Sequence, residues 1–175
     1  MFTKARPEPV KKLRVPDELK KYGNGNIPPH ELVDITGGGR MWGPAGFWWN
    51  HMCAEAATAG VHIKGVSGGY RSYRAQENLF YDRYSPKATG RKPEVTRIWE
   101  GRKWWLRKGK APVATPGSSN HGWALAQDIE VPRKTYKWMC ENAPKYGFYL
   151  QGPSLLSNGR KNPEFEAWHW QFCHV

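Results

Sequence analysis

From Pro44 to Ala59 the apolar residues Ala45, Trp48, Trp49, Met52, Cys53, Ala56 and Ala57 recur at helical spacing, which predicts a helix with one buried face. Pro44 suits the first turn of that helix and Gly60 its C-terminal end. Val61 to Ser67 is short and β-branched and reads as a strand, ended by Gly68-Gly69. Ser72 can cap a second helix that runs through Gln76 and Leu79 to about Tyr84. Two aromatic runs around Glu100-Gly101 predict a hairpin over residues 97–106. Ala126 to Val131 should be a strand, Thr135 to Ala143 a helix and Ala167 to Phe172 a final strand. Helices and strands alternate too irregularly for repeated βαβ units. The pattern therefore predicts an α+β domain with a small, mainly antiparallel sheet flanked by helices.

The remaining stretches are punctuation. Residues 1–23 are charged and interrupted by Pro7, Pro9 and Pro16, which reads as a basic N-terminal arm ahead of a domain over 24–175. Asn24 to Arg40 is turn-rich. Its triplet Gly37-Gly38-Gly39 lacks the Lys-Ser/Thr of a phosphate-binding loop and is expected to be a flexible turn. At 175 residues and 39% hydrophobic content, one folded domain is the natural reading.

Charge changes the picture. The net charge is +12, and it is not spread evenly. Residues 1–21 carry seven Lys/Arg against three acids, and residues 83–110, a basic hairpin insertion centred near 85–110, carry ten against two. Such segments steer a surface toward polyanions: nucleic acid, anionic lipid or anionic cell-wall polymer. The three cysteines, Cys53, Cys140 and Cys173, have no paired spacing and read as core residues. The ten Trp residues are expected mostly to bury apolar area.

Among six His residues, His121 has suitable company. It stands in the turn-forming stretch 116–122, and Asp128 follows seven residues later in the predicted strand. A carboxylate entering a sheet is costly to bury without a cation. Glu166 and His169 lie three apart, so an unbroken strand would send them to opposite faces. Both can serve one site only if the chain turns after Glu166. His121, Asp128 and His169 then supply the three N/O ligands of a catalytic zinc, with Glu166 left free as a base. Trp168 and Trp170 would wall the metal on its apolar side. Spacing alone leaves the alternative of ordinary polar loop residues open, and no H-E-x-x-H pattern is present.

Ser119 to Asp128, read as Ser-Asn-His-Gly-Trp-Ala-Leu-Ala-Gln-Asp, closely resembles the S-x-H-x-x-G-x-A-x-D signature of VanY-type D-alanyl-D-alanine carboxypeptidases. Glu166-Ala167-Trp168-His169 resembles that family's E-x-W-H motif, and Gly69 to Gln76 its G-Y-R-S-x-x-x-Q element. The resemblance implies one zinc ion held by His121, Asp128 and His169, with Glu166 as catalytic base. It gives Arg71 to the substrate carboxylate or the developing oxyanion. Two departures stand out. Ala124 occupies a usual glycine position, which would be strained if positive φ is needed there. Gln127 replaces a usual apolar residue, which predicts a less buried strand face.

The resemblance implies a zinc metallopeptidase that hydrolyses peptide bonds of the peptidoglycan stem. No stretch approaches a membrane span, and no apolar leader segment follows the charged N-terminus. That favours a phage endolysin-type endopeptidase cutting between L-Ala and D-Glu, made in the cytoplasm and brought to the wall by phage-mediated release. Its basic segments would grip anionic wall polymer or a lipid surface, with no nucleic-acid partner. The alternatives are a D-alanyl-D-alanine carboxypeptidase, a non-catalytic zinc-stabilised domain, and a basic nucleic-acid binder whose Trp residues stack on bases.

Overall fold

The computed structural model describes residues 8–173. The expectations that fall on residues 1–7 of the N-terminal arm, and on His174, lie outside the described residues. In chain order the helices are α1 (Asp17–Lys20), α2 (Gly43–Thr58), α3 (Tyr73–Arg83) and α4 (Arg133–Asn142). The strands are β1 (Leu32–Asp34), β2 (Arg40–Trp42), β3 (Gly65–Ser67), β4 (Tyr84–Ser85), β5 (Thr96–Trp99), β6 (Arg102–Leu106), β7 (Ala126–Ile129), β8 (Phe148–Leu150) and β9 (His169–Phe172). The predicted α+β character is what the chain adopts.

Helix α2 follows its apolar spacing. Ala45, Trp49, Met52, Cys53 and Ala56 are buried, whereas Trp48 and Ala57 fall outside the buried stripe. Trp49 meets Phe148 of β8 edge-on at 5.0 Å, fixing the helix against the central sheet. That sheet has the order β3-β7-β9-β8 with every pair antiparallel. The segment ahead of α2 joins the same body: Val10 bridges Leu150 and Leu19 of α1 is fully buried.

The glycine triplet has a definite shape. It closes the β1–β2 hairpin, with Ile35 N–H donating to Gly39 O at 3.0 Å. Gly39 adopts φ +90°, and a Cβ there would sit 2.0 Å from the Gly68 carbonyl oxygen. Only glycine lets these two backbones touch. Through this contact the hairpin braces residues 68–70, beside the candidate site.

The basic segment forms a separate three-stranded sheet of order β4-β6-β5, with the expected turn at Glu100-Gly101. Phe80 of α3 with Tyr84, Trp99 and Leu106 makes a satellite core beneath it. Phe80 stacks on Tyr84 at 4.7 Å and meets Trp104 at 5.4 Å. The tryptophans of this segment are therefore largely committed to packing. No helix among the described residues is long and apolar enough to cross a membrane.

Candidate metal centre

The site is a row across the central sheet. Ser67 of β3 pairs with Asp128 of β7, and Asp128 pairs directly with His169 of β9. Directly opposed residues in antiparallel strands present side chains to the same face at close range. Ser67 Oγ donates to Asp128 Oδ2 at 2.8 Å, and His169 Nδ1 lies 2.8 Å from Asp128 Oδ1. His121 arrives from outside the sheet, on a one-turn 3₁₀ segment, Asn120–Trp123. Its Nδ1 contacts Gly69 O at 2.8 Å, while its Nε2 stands 3.3 Å from Asp128 Oδ1.

These contacts decide what the cluster can hold. A backbone carbonyl can only accept, so Nδ1 of His121 carries the proton and Nε2 is left with its lone pair. One donor atom each from His121, Asp128 and His169 lies within 4.8 Å of the others, and both imidazoles are buried. For a tetrahedral ion with bonds near 2.0 Å, ligand atoms stand about 3.3 Å apart. The His121–Asp128 separation of 3.3 Å matches that edge, whereas the 2.8 Å between Asp128 and His169 is a hydrogen-bond length. The mixed imidazole and carboxylate set suits zinc. Burial pushes the Asp128 carboxyl upward, but with no ion bound, protonated His121 and His169 outweigh it through hydrogen bonds and charge and hold the group well below the usual range; a cation replaces the proton on His121 Nε2. Asp128 is thus an anion available to a cation.

The chain does turn after Glu166, as a shared site requires. His169 N–H donates to Glu166 O at 3.1 Å across a turn at Ala167-Trp168. The residue as a whole is exposed, yet its carboxyl is desolvated enough for its pKa to rise. Asp128 raises it further, and His169 and His121 oppose. The carboxyl thus lies within the field of all three candidate ligands. Arg71 donates from Nη1 to Gln76 Oε1 at 2.8 Å, and Gln76 in turn donates to Ala114 O at 2.7 Å. Desolvation lowers the Arg71 pKa, and the Asp128 charge pulls it back up. Arg71 N–H also donates to His121 O at 3.0 Å, which locks the two motifs together.

Two features depart from expectation, and a third settles a conditional one. Trp170 cannot wall the metal, because strand alternation turns it away from His169 into the main core, where it is fully buried. Trp168 stays 43% exposed. The face bearing Gln127 is not less buried: Gln127 is 0% exposed, and its Nε2 donates to Gly38 O at 3.3 Å beneath the β1–β2 turn. Ala124 does take a left-handed conformation, φ 57°, directly after the His121 turn.

Supporting residues escaped the sequence reading. Ser67 holds Asp128, which only strand register could have revealed, and Gly69, named in the sequence only as a strand end and motif residue, holds His121 through its carbonyl. Asn24 donates from Nδ2 to Ser119 O at 2.7 Å, and a Cβ on Gly122 would lie 2.1 Å from its Oδ1. The His121 loop therefore closes on Asn24 only because residue 122 is glycine.

Comparison with known proteins agrees with this geometry. The sequence profile of the VanY family, D-alanyl-D-alanine carboxypeptidase, matches residues 46–175. The chain is 31% identical over 133 residues to YodJ of Bacillus subtilis, covering 69% of this chain and 42% of that protein. It is 27% identical over 130 residues to a D-alanyl-D-alanine carboxypeptidase of Enterococcus faecalis, covering 69% and 44%. It thus spans less than half the length of these curated relatives. Among solved structures, the LdcB LD-carboxypeptidase superposes with TM-score 0.61 and 25% identity, over 98% of this chain and 88% of that one. A VanY D,D-pentapeptidase solved with Zn(II) shares the fold, with TM-score 0.55 and 21% identity over 85% and 83%. A family profile covering most of the chain, on a fold shared with these enzymes, makes this chain a member of the VanY family.

Proposed function

We propose that the protein is a zinc-dependent carboxypeptidase that trims the C-terminal residue from peptidoglycan stem peptides. The observation that carries this reading is the convergence of His121 Nε2, Asp128 Oδ1 and His169 Nδ1, with Glu166 one turn ahead of His169. His121, Asp128 and His169 would hold the ion. When bound, zinc supplies a Lewis acid at the scissile carbonyl. Glu166, its proton affinity raised by desolvation, takes a proton from the attacking water and returns one to the leaving amine. Arg71 offers a guanidinium to the free carboxylate of the terminal residue, oriented by Gln76.

A carboxylate-binding Arg beside the metal cluster suits removal of a terminal residue. The relatives with named activities include a D-alanyl-D-alanine carboxypeptidase and an LD-carboxypeptidase. This reading therefore ranks ahead of the endopeptidase cut between L-Ala and D-Glu, and of phage-mediated release, which rest on the sequence expectation alone. The basic segments would keep the enzyme on anionic wall.

The test is digestion of muropeptides ending in D-Ala-D-Ala or in a single D-Ala, followed by mass spectrometry. Chelator-sensitive loss of one terminal D-Ala, abolished in Glu166→Gln, is the expected result. New amines inside the stem would replace this reading with the endopeptidase. Bound zinc with no cleavage of either substrate would leave a non-catalytic zinc domain.

A further inference from the structure

Away from the metal cluster, and sharing no residue with it, a cavity of about 360 Å³ opens between the 88–95 loop and β6. We propose that this cavity docks a phosphodiester-linked polyol or sugar polymer of the bacterial wall. The proposal rests on the cell-wall reading above for its setting, and on the cavity itself for its chemistry.

The cationic wall is built for an oxyanion. Arg91 lines the cavity and its Nε is buried with no hydrogen-bond partner, while Nη1 makes only a long 3.4 Å contact to Lys110 O. A guanidinium that lines a cavity with its Nε buried and unpaired carries a desolvation cost, which an acceptor met by a shift of the side chain would offset. Phosphate oxygens are the acceptors that the planar fork matches best. Lys92 lines the same space, and Lys108 Nζ reaches to 3.8 Å of where a Cβ on Gly90 would stand. Among the described residues none of these three cations is in an ion pair. Glu94 also lines the cavity, but its carboxylate accepts from Trp105 Nε1 at 2.6 Å and faces Lys103 Nζ at 3.8 Å. Its charge is thus engaged rather than set against an incoming anion.

Trp105 and Val95 also line the cavity and give it an apolar surface suited to the C–H faces of a sugar or polyol. A phosphate flanked by such a unit matches the cations and the apolar surface at once. Nucleic acid fits less well, because a single-strand binder needs several open aromatic platforms. Trp99 and Trp104 are instead packed around Phe80, which leaves Trp105 alone at the cavity.

The full chain would be sedimented with purified walls, either native or stripped of phosphodiester polymer by hydrofluoric acid. Stripping is expected to lower wall affinity by about tenfold, as loss of a few phosphate contacts would. Arg91→Ala should do the same on native walls, with turnover of a soluble stem peptide unchanged. Because Arg91 is partly buried, the surface pair Lys92→Glu/Lys108→Glu serves as a second variant, with circular dichroism melting to check its fold. Unchanged binding to stripped walls overturns the proposal. So does unchanged binding of both variants to native walls. Stronger binding to phosphatidylglycerol vesicles than to native walls, lost in the same variants, replaces the polymer with a membrane surface. Soluble-peptide turnover is read separately. Its failure alongside phosphate-dependent sedimentation would sink the carboxypeptidase reading and leave the cavity's ligand standing.

Discussion

The two sheets of this protein solve different problems. In the central sheet, adjacent strands come from residues 65–67, 126–129 and 169–172, so neighbours in space are distant in sequence. Its polar row of Ser67, Asp128 and His169 holds charge at the edge of a dry core. In the satellite sheet, β5 and β6 are joined by two residues, and positive charge stays outside while aromatics fill the interior. Helix α3 spans the two. Gln76 in its first turns orients Arg71, and Phe80 near its end anchors the satellite core. The geometry of the candidate metal site comes from long-range register, and the basic surface from local pairing. The two should therefore fail independently.

The largest expected effect breaks one side alone. Glu166→Gln should lower kcat by about 10²–10⁴-fold, the usual worth of a positioned proton carrier. Zinc content and wall sedimentation should be unaltered, measured by metal analysis and pelleting. A kcat within threefold of the parent would remove Glu166 from proton transfer. On the other side, Phe80→Ala should cost about 3–5 kcal/mol of local stability, the range for a buried Phe. Hydrogen exchange at residues 96–106 should accelerate, while metal affinity holds. Loss of zinc in that variant would show that α3 couples the sheets.

Much of the satellite sheet was legible because its signals are local: aromatic runs around Glu100-Gly101 define the hairpin. The α2 face was legible for the same reason, since i, i+3, i+4 spacing is a short-range property. The site was legible as three separate motifs but not as a place. That Asp128 opposes His169 is a matter of register, and register depends on pairing partners that sequence spacing does not reveal. Gln127 shows the limit most plainly. A polar residue in a strand suggests an open face, yet here Gly37–Gly39 folds over it and buries it completely. Strands β1, β2 and β8, three residues each, are too short for any periodicity to show.

Ser67 gives a finer test of register. Ser67→Ala removes the hydroxyl that bonds Asp128 Oδ2, leaving the three candidate ligands in place. Loss of a residue that supports a metal ligand lowers metal affinity by about 10–100-fold. Competition with a chromogenic chelator measures it, with sedimentation on walls as the unaffected control. Unchanged affinity would mean that His121 and His169 alone fix Asp128.

The smallest expected effect concerns Ala124, where the family pattern has glycine. Its φ of 57° places an L-residue in the left-handed region, which costs about 1–2 kcal/mol relative to glycine. Ala124→Gly would relieve that strain but lose a methyl that is 0% exposed, worth about 0.8 kcal/mol when buried. Glycine also adds about 0.4–1 kcal/mol of unfolded-chain entropy to overcome. The three terms nearly cancel, so the melting temperature should move by less than about 3 °C. That near-cancellation lets alanine stand three residues after His121 at little net cost in stability. A gain well beyond this would mean that the strain at 124 is transmitted to the His121 turn. Metal affinity should then rise in the same variant, and the central site, not the satellite sheet, would be the part of the molecule held under tension.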